Sequence, residues 1–174
     1  VPWTITIHMF MALLIIGIQI YFTIVASGKE LVFQRFSIPN WMLVMLWIVF
    51  VITFYQMFLG TQVREGIDLL IKKGVGQEAW TEGVGLPFYI HRSFSWLVLV
   101  LLCVIFWFNE KGQRLGAIRL SFVVLAMELF SGVLLAHVDM PGLVRTAHLL
   151  FASVLFGVLC WFLFQAKAKK VQVP

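Results

Sequence analysis

The chain has 174 residues, of which 61% are hydrophobic and only 12% charged, and its formal net charge is +5. A soluble domain carries about 25% charged residues, so this chain could not cover its apolar surface in water, and its natural solvent is lipid. In such a chain the positive balance reports topology first; no basic patch lies on a polar surface, and nucleic acid is not an expected partner.

A membrane-spanning helix needs about 20 mostly apolar residues. Stretches that qualify lie at residues 3–26, 41–63, 88–108, 120–137 and 143–164. The fourth is the shortest and contains Glu128. Glycine, proline, serine and charged residues mark the connections at 27–40, 64–87, 109–119 and 138–142. Within the longest connection, residues 67–73 read either as an amphipathic helix or as an extension of the second span. The expected fold is an all-α integral membrane protein with five transmembrane helices.

An odd number of spans puts the two ends of the sequence on opposite sides. Lys29, Arg35, Lys111, Arg114, Arg119, Lys167, Lys169 and Lys170 then share one side, against Arg64, Lys72, Lys73, Arg92 and Arg145 on the other. Glu65, Asp68, Glu78, Glu82 and Asp139 join the smaller set. The more basic side is therefore assigned to the cytoplasm. Cys103 and Cys160 fall inside apolar helices, form no CxxC pair and read as small buried side chains. The sequence starts at Val1 with no initiator Met, basic n-region or cleavage pattern, as either a mature product or a fragment would.

All four histidines come to the non-cytoplasmic end. His8 lies early in the first span, His91 early in the third, His137 at the end of the fourth and His148 in the early turns of the fifth. A histidine within a span is costly and usually functional; it either packs through hydrogen bonds or binds a ligand. Two neutral imidazoles from different helices of a bundle can ligate haem iron axially. Arg145 precedes His148 by three residues on one helical face, Arg92 follows His91, and Arg64 ends the second span. Their guanidinium groups suit haem propionates, or they anchor the helices by snorkelling. Gln56, Gly60 and Arg64 share a face of the second span; Gly60 would admit either a macrocycle or a packed helix. His137 lies off the face of Glu128 and Gly132 and reads as structural or interfacial.

The first and fifth spans repeat each other. After Pro2 and Pro141 respectively, His8, Ala12 and Gly17 match His148, Ala152 and Gly157. Gln56-Met-Phe-Leu-Gly60 likewise matches Glu128-Leu-Phe-Ser-Gly132. The first span thus reads as a second copy of the fifth without three preceding helices. The expected organisation is residues 1–26 as the last helix of a preceding four-helix bundle, 27–40 as a cytoplasmic linker and 41–174 as a complete C-terminal bundle.

The segments TITIHMFMA (4–12), QMFLGTQVR (56–64), FYIHRSFS (88–95), ELFSG (128–132) and HLLFASVLFG (148–157) resemble the haem A synthase family of the CtaA/Cox15 type, and their wording is most like Bacteroidetes members. The resemblance covers nearly the whole chain. It implies a pseudo-symmetric pair of four-helix bundles, with haem b in the C-terminal bundle and haem O, the substrate, in the N-terminal one. By this resemblance His91 and His148 ligate the haem b iron, and His8 faces the substrate haem as a possible second iron ligand. Arg64, Arg92, Arg145, Gln56 and Gly60 would line the haem b site. The implied reaction oxidises a ring methyl of haem O to the formyl of haem A by successive hydroxylations, with haem b relaying electrons. The family's catalytic glutamate and its partner histidine belong to the missing bundle, so no catalytic residue is assigned in this sequence. The cysteine pair some members carry in their outer loops is missing from 64–87. The implied setting is the inner (cell) membrane, with the haem site towards its outer face. The implied partners are membrane lipid, a haem O synthase as donor and the assembly of cytochrome c oxidase; a homo-oligomer is compatible. The alternatives are a membrane b-type cytochrome acting only as an electron carrier, and a non-catalytic subunit of a respiratory complex.

Overall fold

The computed structural model describes residues 3–27, 38–138 and 142–168. Lys29, Arg35, Asp139, Lys169 and Lys170 of the charge tally, and Pro2 and Pro141 of the repeat, lie outside them. The described residues form α1 (Trp3–Ala26), α2 (Asn40–Lys72), a 3-10 turn (Gln77–Ala79), α3 (Trp80–Val84), α4 (Leu86–Lys111), α5 (Gly116–His137) and α6 (Gly142–Ala168), with no strand among them. Five of these helices, all but α3, are long and apolar enough to cross a membrane. The chain is a multi-pass membrane protein.

The ends of the helices follow local chemistry. Pro39 precedes α2, and Pro87 stands in the first turn of α4, where a missing N–H costs nothing. Gly74 takes a left-handed φ of 73° and closes α2, with the N–H of Val75 donating to Leu70 O at 3.0 Å. Gly85, at φ 68°, separates α3 from α4.

α2 has 33 residues, about 50 Å at 1.5 Å per residue, well beyond the roughly 30 Å hydrocarbon core. The stretch 67–73 is thus mostly an extension of the second span. Charged residues end its apolar run at Val63 but leave it helical: Arg64 and Asp68 pair at 3.7 Å one turn apart. Ile67 turns inward and is buried. α3 folds back on this extension, with Val84 against Gly66 and Leu70 against Gly83. The Trp80 indole N–H donates to Val75 O at 3.0 Å and ties down the turn. α5 begins at Gly116, four residues earlier than the apolar run, so the shortest expected span is a full-length helix.

α2, α4, α5 and α6 close a ring in which each helix packs on two of the others. Their shared core includes Leu46 and Val49 of α2, Leu102 and Ile105 of α4, Ile118 of α5 and Leu159 of α6. α1 lies outside this ring, against α6 and α2. A smaller cluster, Leu13, Met57, Phe156 and Cys160, holds it there. Gly157 allows the approach: a Cβ there would lie 3.7 Å from Ile20 and 3.8 Å from Ile16. Cys160 is buried, as expected, but Cys103 is exposed on α4.

The α4–α5 hairpin is fastened by Asn109, a residue the hydropathy pattern does not single out. The residue is 1% exposed. Oδ1 accepts from the Leu115 N–H at 2.7 Å, and its backbone carbonyl accepts from the Arg114 N–H at 2.9 Å, where Arg114 has φ 52°. Arg119 adds a two-pronged contact to Glu110, each arm 2.7 Å. Asn109→Leu strands a buried N–H, which costs about 1–3 kcal/mol. A denaturant titration in detergent should show this loss of stability, and an unchanged midpoint would mean that the cap is dispensable.

Candidate haem-ligand site

Three contacts set the helix register at one end of the molecule. The start of α1 meets the end of α2 through Thr6 Oγ1 and Thr61 Oγ1 at 2.9 Å. The end of α2 meets the start of α4 where Gly60 faces His91, and the end of α5 meets the start of α6 where Gly132 faces His148. His91 and His148 therefore enter the ring at the same end from two helices that do not neighbour each other in sequence.

The two imidazoles are seated alike. A Cβ at position 60 would lie 3.6 Å from Cε1 of His91, and one at 132 would lie 3.3 Å from Cε1 of His148. Each glycine therefore supplies the space its partner ring fills. Gln-x3-Gly on α2 and Glu-x3-Gly on α5 play the same steric part.

The hydrogen bonds around the two rings differ. Gln56 Nε2 donates to His91 O and to Ser95 Oγ, both at 2.8 Å, and Ser95 Oγ donates to His91 O at 2.9 Å. These bonds hold the α4 backbone at His91 and leave its ring alone; Nδ1 of His91 is buried without a hydrogen-bond partner among the described residues. On α6 the ring itself is gripped. His148 Nδ1 lies 2.9 Å from Ser131 Oγ and 3.1 Å from Glu128 O. A carbonyl can only accept, so Nδ1 carries the hydrogen and Nε2 is the nitrogen left for other chemistry. Nε2 faces Glu128 Oε1 at 3.3 Å. Oε2 of Glu128 and Oε1 of Gln56 are buried without partners among the described residues.

This donor set fits a haem. It offers two imidazoles from facing helices of a ring, one of them with the Nδ1–H tied to a backbone carbonyl as metal-binding histidines commonly have it. Buried polar atoms stand around both rings. No group of three or more His, Cys, Asp or Glu able to hold a bare metal ion occurs among the described residues.

The remaining expected residues are spread around this pair. Arg64 is exposed at the mouth of the ring beside Asp68. Arg92 is exposed on the first turns of α4, and Arg145 is half-buried on α6, three residues before His148. His8 is exposed on α1 and is not brought to the pair. His137 is also exposed, at the end of α5. Of the two alanines one turn after a histidine, Ala152 packs into the cluster that holds α1, and Ala12 is exposed. Ser95 and Ser131 were not singled out by the sequence. Their signal was available: Ser95 follows His91 by four residues, and Ser131 stands inside ELFSG. An apolar groove of about 480 Å³ lined by Gly116, Leu120, Gly157 and Trp161 lies towards the other end of the ring and has no part in this site.

Five membrane-spanning helices, four of them closed into a ring with a histidine pair at one end, define a polytopic helical membrane protein. The chain matches the model of the COX15-CtaA family, described as cytochrome oxidase assembly protein, over residues 1–160, and it belongs to that family. The family is that of the haem A synthases, oxidoreductases of haem biosynthesis. No curated protein and no solved structure matches the chain.

Proposed function

We propose that this chain is the haem b-bearing C-terminal half of a haem A synthase, which oxidises the haem O ring methyl to the formyl of haem A. The observation that carries this reading is the matched seating of His91 and His148, each against a glycine at the same end of the ring. In this reading haem b supplies one-electron transfer. His91 and His148 are the residues that would hold its iron. Gln56 and Ser95 hold the α4 backbone from which His91 projects, and Ser131 with Glu128 O fixes the tautomer of His148. Arg64, Arg92 and Arg145 stand at the mouth of the ring, where guanidinium groups pair with propionates. The apolar core below excludes water from the pair.

Further in this reading, residues 1–26 are the last helix of a preceding bundle, and His8 faces that bundle's substrate haem. Its exposure on the side of α1 turned away from the ring supports this. The site opens towards the outer face of the inner membrane, consistent with the acidic and basic residues shared by that end. A haem O synthase supplies the substrate, and the product serves the assembly of cytochrome c oxidase.

The test is a reduced-minus-oxidised spectrum of the purified full-length protein together with pigment extraction. Haem B accompanied by haem O or haem A is the expected result. Haem B alone would favour a cytochrome that only carries electrons, and no Soret band would reject haem binding altogether.

A further inference from the structure

The repeat that matches His8, Ala12 and Gly17 of α1 with His148, Ala152 and Gly157 of α6 also pairs Thr6 with Thr146, Phe10 with Leu150 and Leu13 with Ser153. The two helices pack on each other, and they do so through equivalent positions. Ile16 and Ile20 lie against Gly157, and their counterparts Phe156 and Cys160 are buried in the cluster that holds α1. Equivalent residues meeting across a contact mark a two-fold arrangement. It is approximate here, since a Cβ at Gly17 would meet nothing within 4 Å.

Each helix leaves bare the face that the other covers. The ring-facing residues Leu155, Leu159 and Phe162 of α6 are buried, whereas their counterparts on α1, Ile15, Gln19 and Phe22, are exposed. The converse holds for a second stripe. On α1, Thr6 bonds to Thr61 of α2, the Phe10 ring meets Phe54 edge-on, and Leu13 shares a buried cluster with Met57. On α6, Thr146 is exposed and its hydroxyl turns back to Gly142 O at 3.0 Å. Leu150 is 56% exposed, and Ser153 Oγ donates to Leu149 O of its own helix.

We propose that the stripe Thr146, Leu150 and Ser153 of α6 is the docking face for a counterpart of α2, the first helix of the preceding bundle. The proposal rests on the reading of residues 1–26 as the last helix of that bundle. The two-fold relation that exchanges α1 and α6 carries the α1–α2 contact onto α6. The occupant is an apolar helix with a hydrogen-bonding side chain opposite Thr146, as Thr61 stands opposite Thr6. It places an apolar side chain opposite Leu150, as Phe54 stands opposite Phe10. Ser153 is smaller than Leu13, so the residue facing it has room to be larger than Met57. Helices in a bilayer associate through close packing and hydroxyl contacts of this kind. The face is continuous with the α1–α6 contact, so α6 grips both the first and the last helix of the preceding bundle.

The experiment places single nitroxide labels on full-length protein in lipid bilayers and reads their relaxation by dissolved oxygen, which is high in lipid and low inside protein. The background carries Cys103→Ala, because Cys103 is exposed and Cys160 is buried. Labels go on Leu150→Cys, on Ile15→Cys, and on Val100→Cys of α4 as the lipid-facing reference, 58% exposed. The expected result is a severalfold loss of oxygen accessibility at both 150 and 15 relative to 100. Shielding at 15 with lipid-like accessibility at 150 would overturn the docking face and leave the preceding bundle standing. Lipid-like values at both positions would overturn the preceding bundle and the proposal with it. Shielding at 150 that disappears when the protein is diluted into excess lipid would make the occupant a second copy of the chain, and would also overturn the proposal. If Leu150→Cys does not fold, Thr146→Cys takes its place with the same outcomes.

Discussion

Alanine at His91 or at His148 should abolish the six-coordinate low-spin haem signal of the full-length protein. Each ring is one of two axial ligands contributed by separate helices, and among the described residues no other histidine lies at the pair: His8 and His137 are both exposed on other helices. The expected losses are not identical. His148→Ala leaves His91 with its backbone still held by Gln56 and Ser95, so a five-coordinate species should persist. His91→Ala leaves His148 tied to Glu128, so haem content itself should fall. Pyridine haemochrome content and the spin-state bands separate the two cases. A full low-spin spectrum in both variants would reject the ligand assignment.

Gly132→Leu should be nearly as damaging. The first added carbon already stands 3.3 Å from Cε1 and 3.8 Å from Nδ1 of His148, and the rest of the side chain has to fit where the ring sits. Overpacking of this kind costs about 1–3 kcal/mol. Charged against ligation by His148, that is roughly ten- to hundredfold in haem affinity. The matching change on α2 gives the contrast: at position 60 a Cβ would be in ordinary contact, 3.6 Å from Cε1 of His91. Gly60→Ala should therefore keep haem and gain the modest helix propensity of alanine, about 1 kcal/mol. Haem titration of the two variants checks both, and loss of haem in Gly60→Ala with retention in Gly132→Leu would invert the argument.

Hydropathy alone made the spans legible, since lipid demands long apolar helices and little else satisfies it. α1 runs over Trp3–Ala26, the limits its apolar run indicates. α2 does not stop where its apolar run stops. Arg64, Glu65 and Asp68 end the hydrophobic signal, yet the helix continues because nothing in Gly66–Lys72 breaks it before Gly74. The steric frame of the site was also legible, because a glycine four residues after Gln56 or Glu128 leaves a mark in the sequence. The direction of those two side chains was not. Whether an amide or a carboxylate reaches a backbone carbonyl or a ring nitrogen depends on helix rotation to within a fraction of a turn. Asn109 was invisible for a related reason: its partner is the N–H of Leu115, and every residue but proline carries one.

The position of α1 outside the ring has a consequence for how the protein assembles. Helices in a bilayer are inserted before they associate, and association follows packing. The larger core draws its buried residues from α2, α4, α5, α6 and the α4–α5 turn, and none from α1. Ring closure therefore does not wait for α1. Docking of α1 is a separate event, governed by a four-residue cluster and the threonine pair Thr6–Thr61. The contacts that seat His91 and His148 against Gly60 and Gly132 involve no residue of α1.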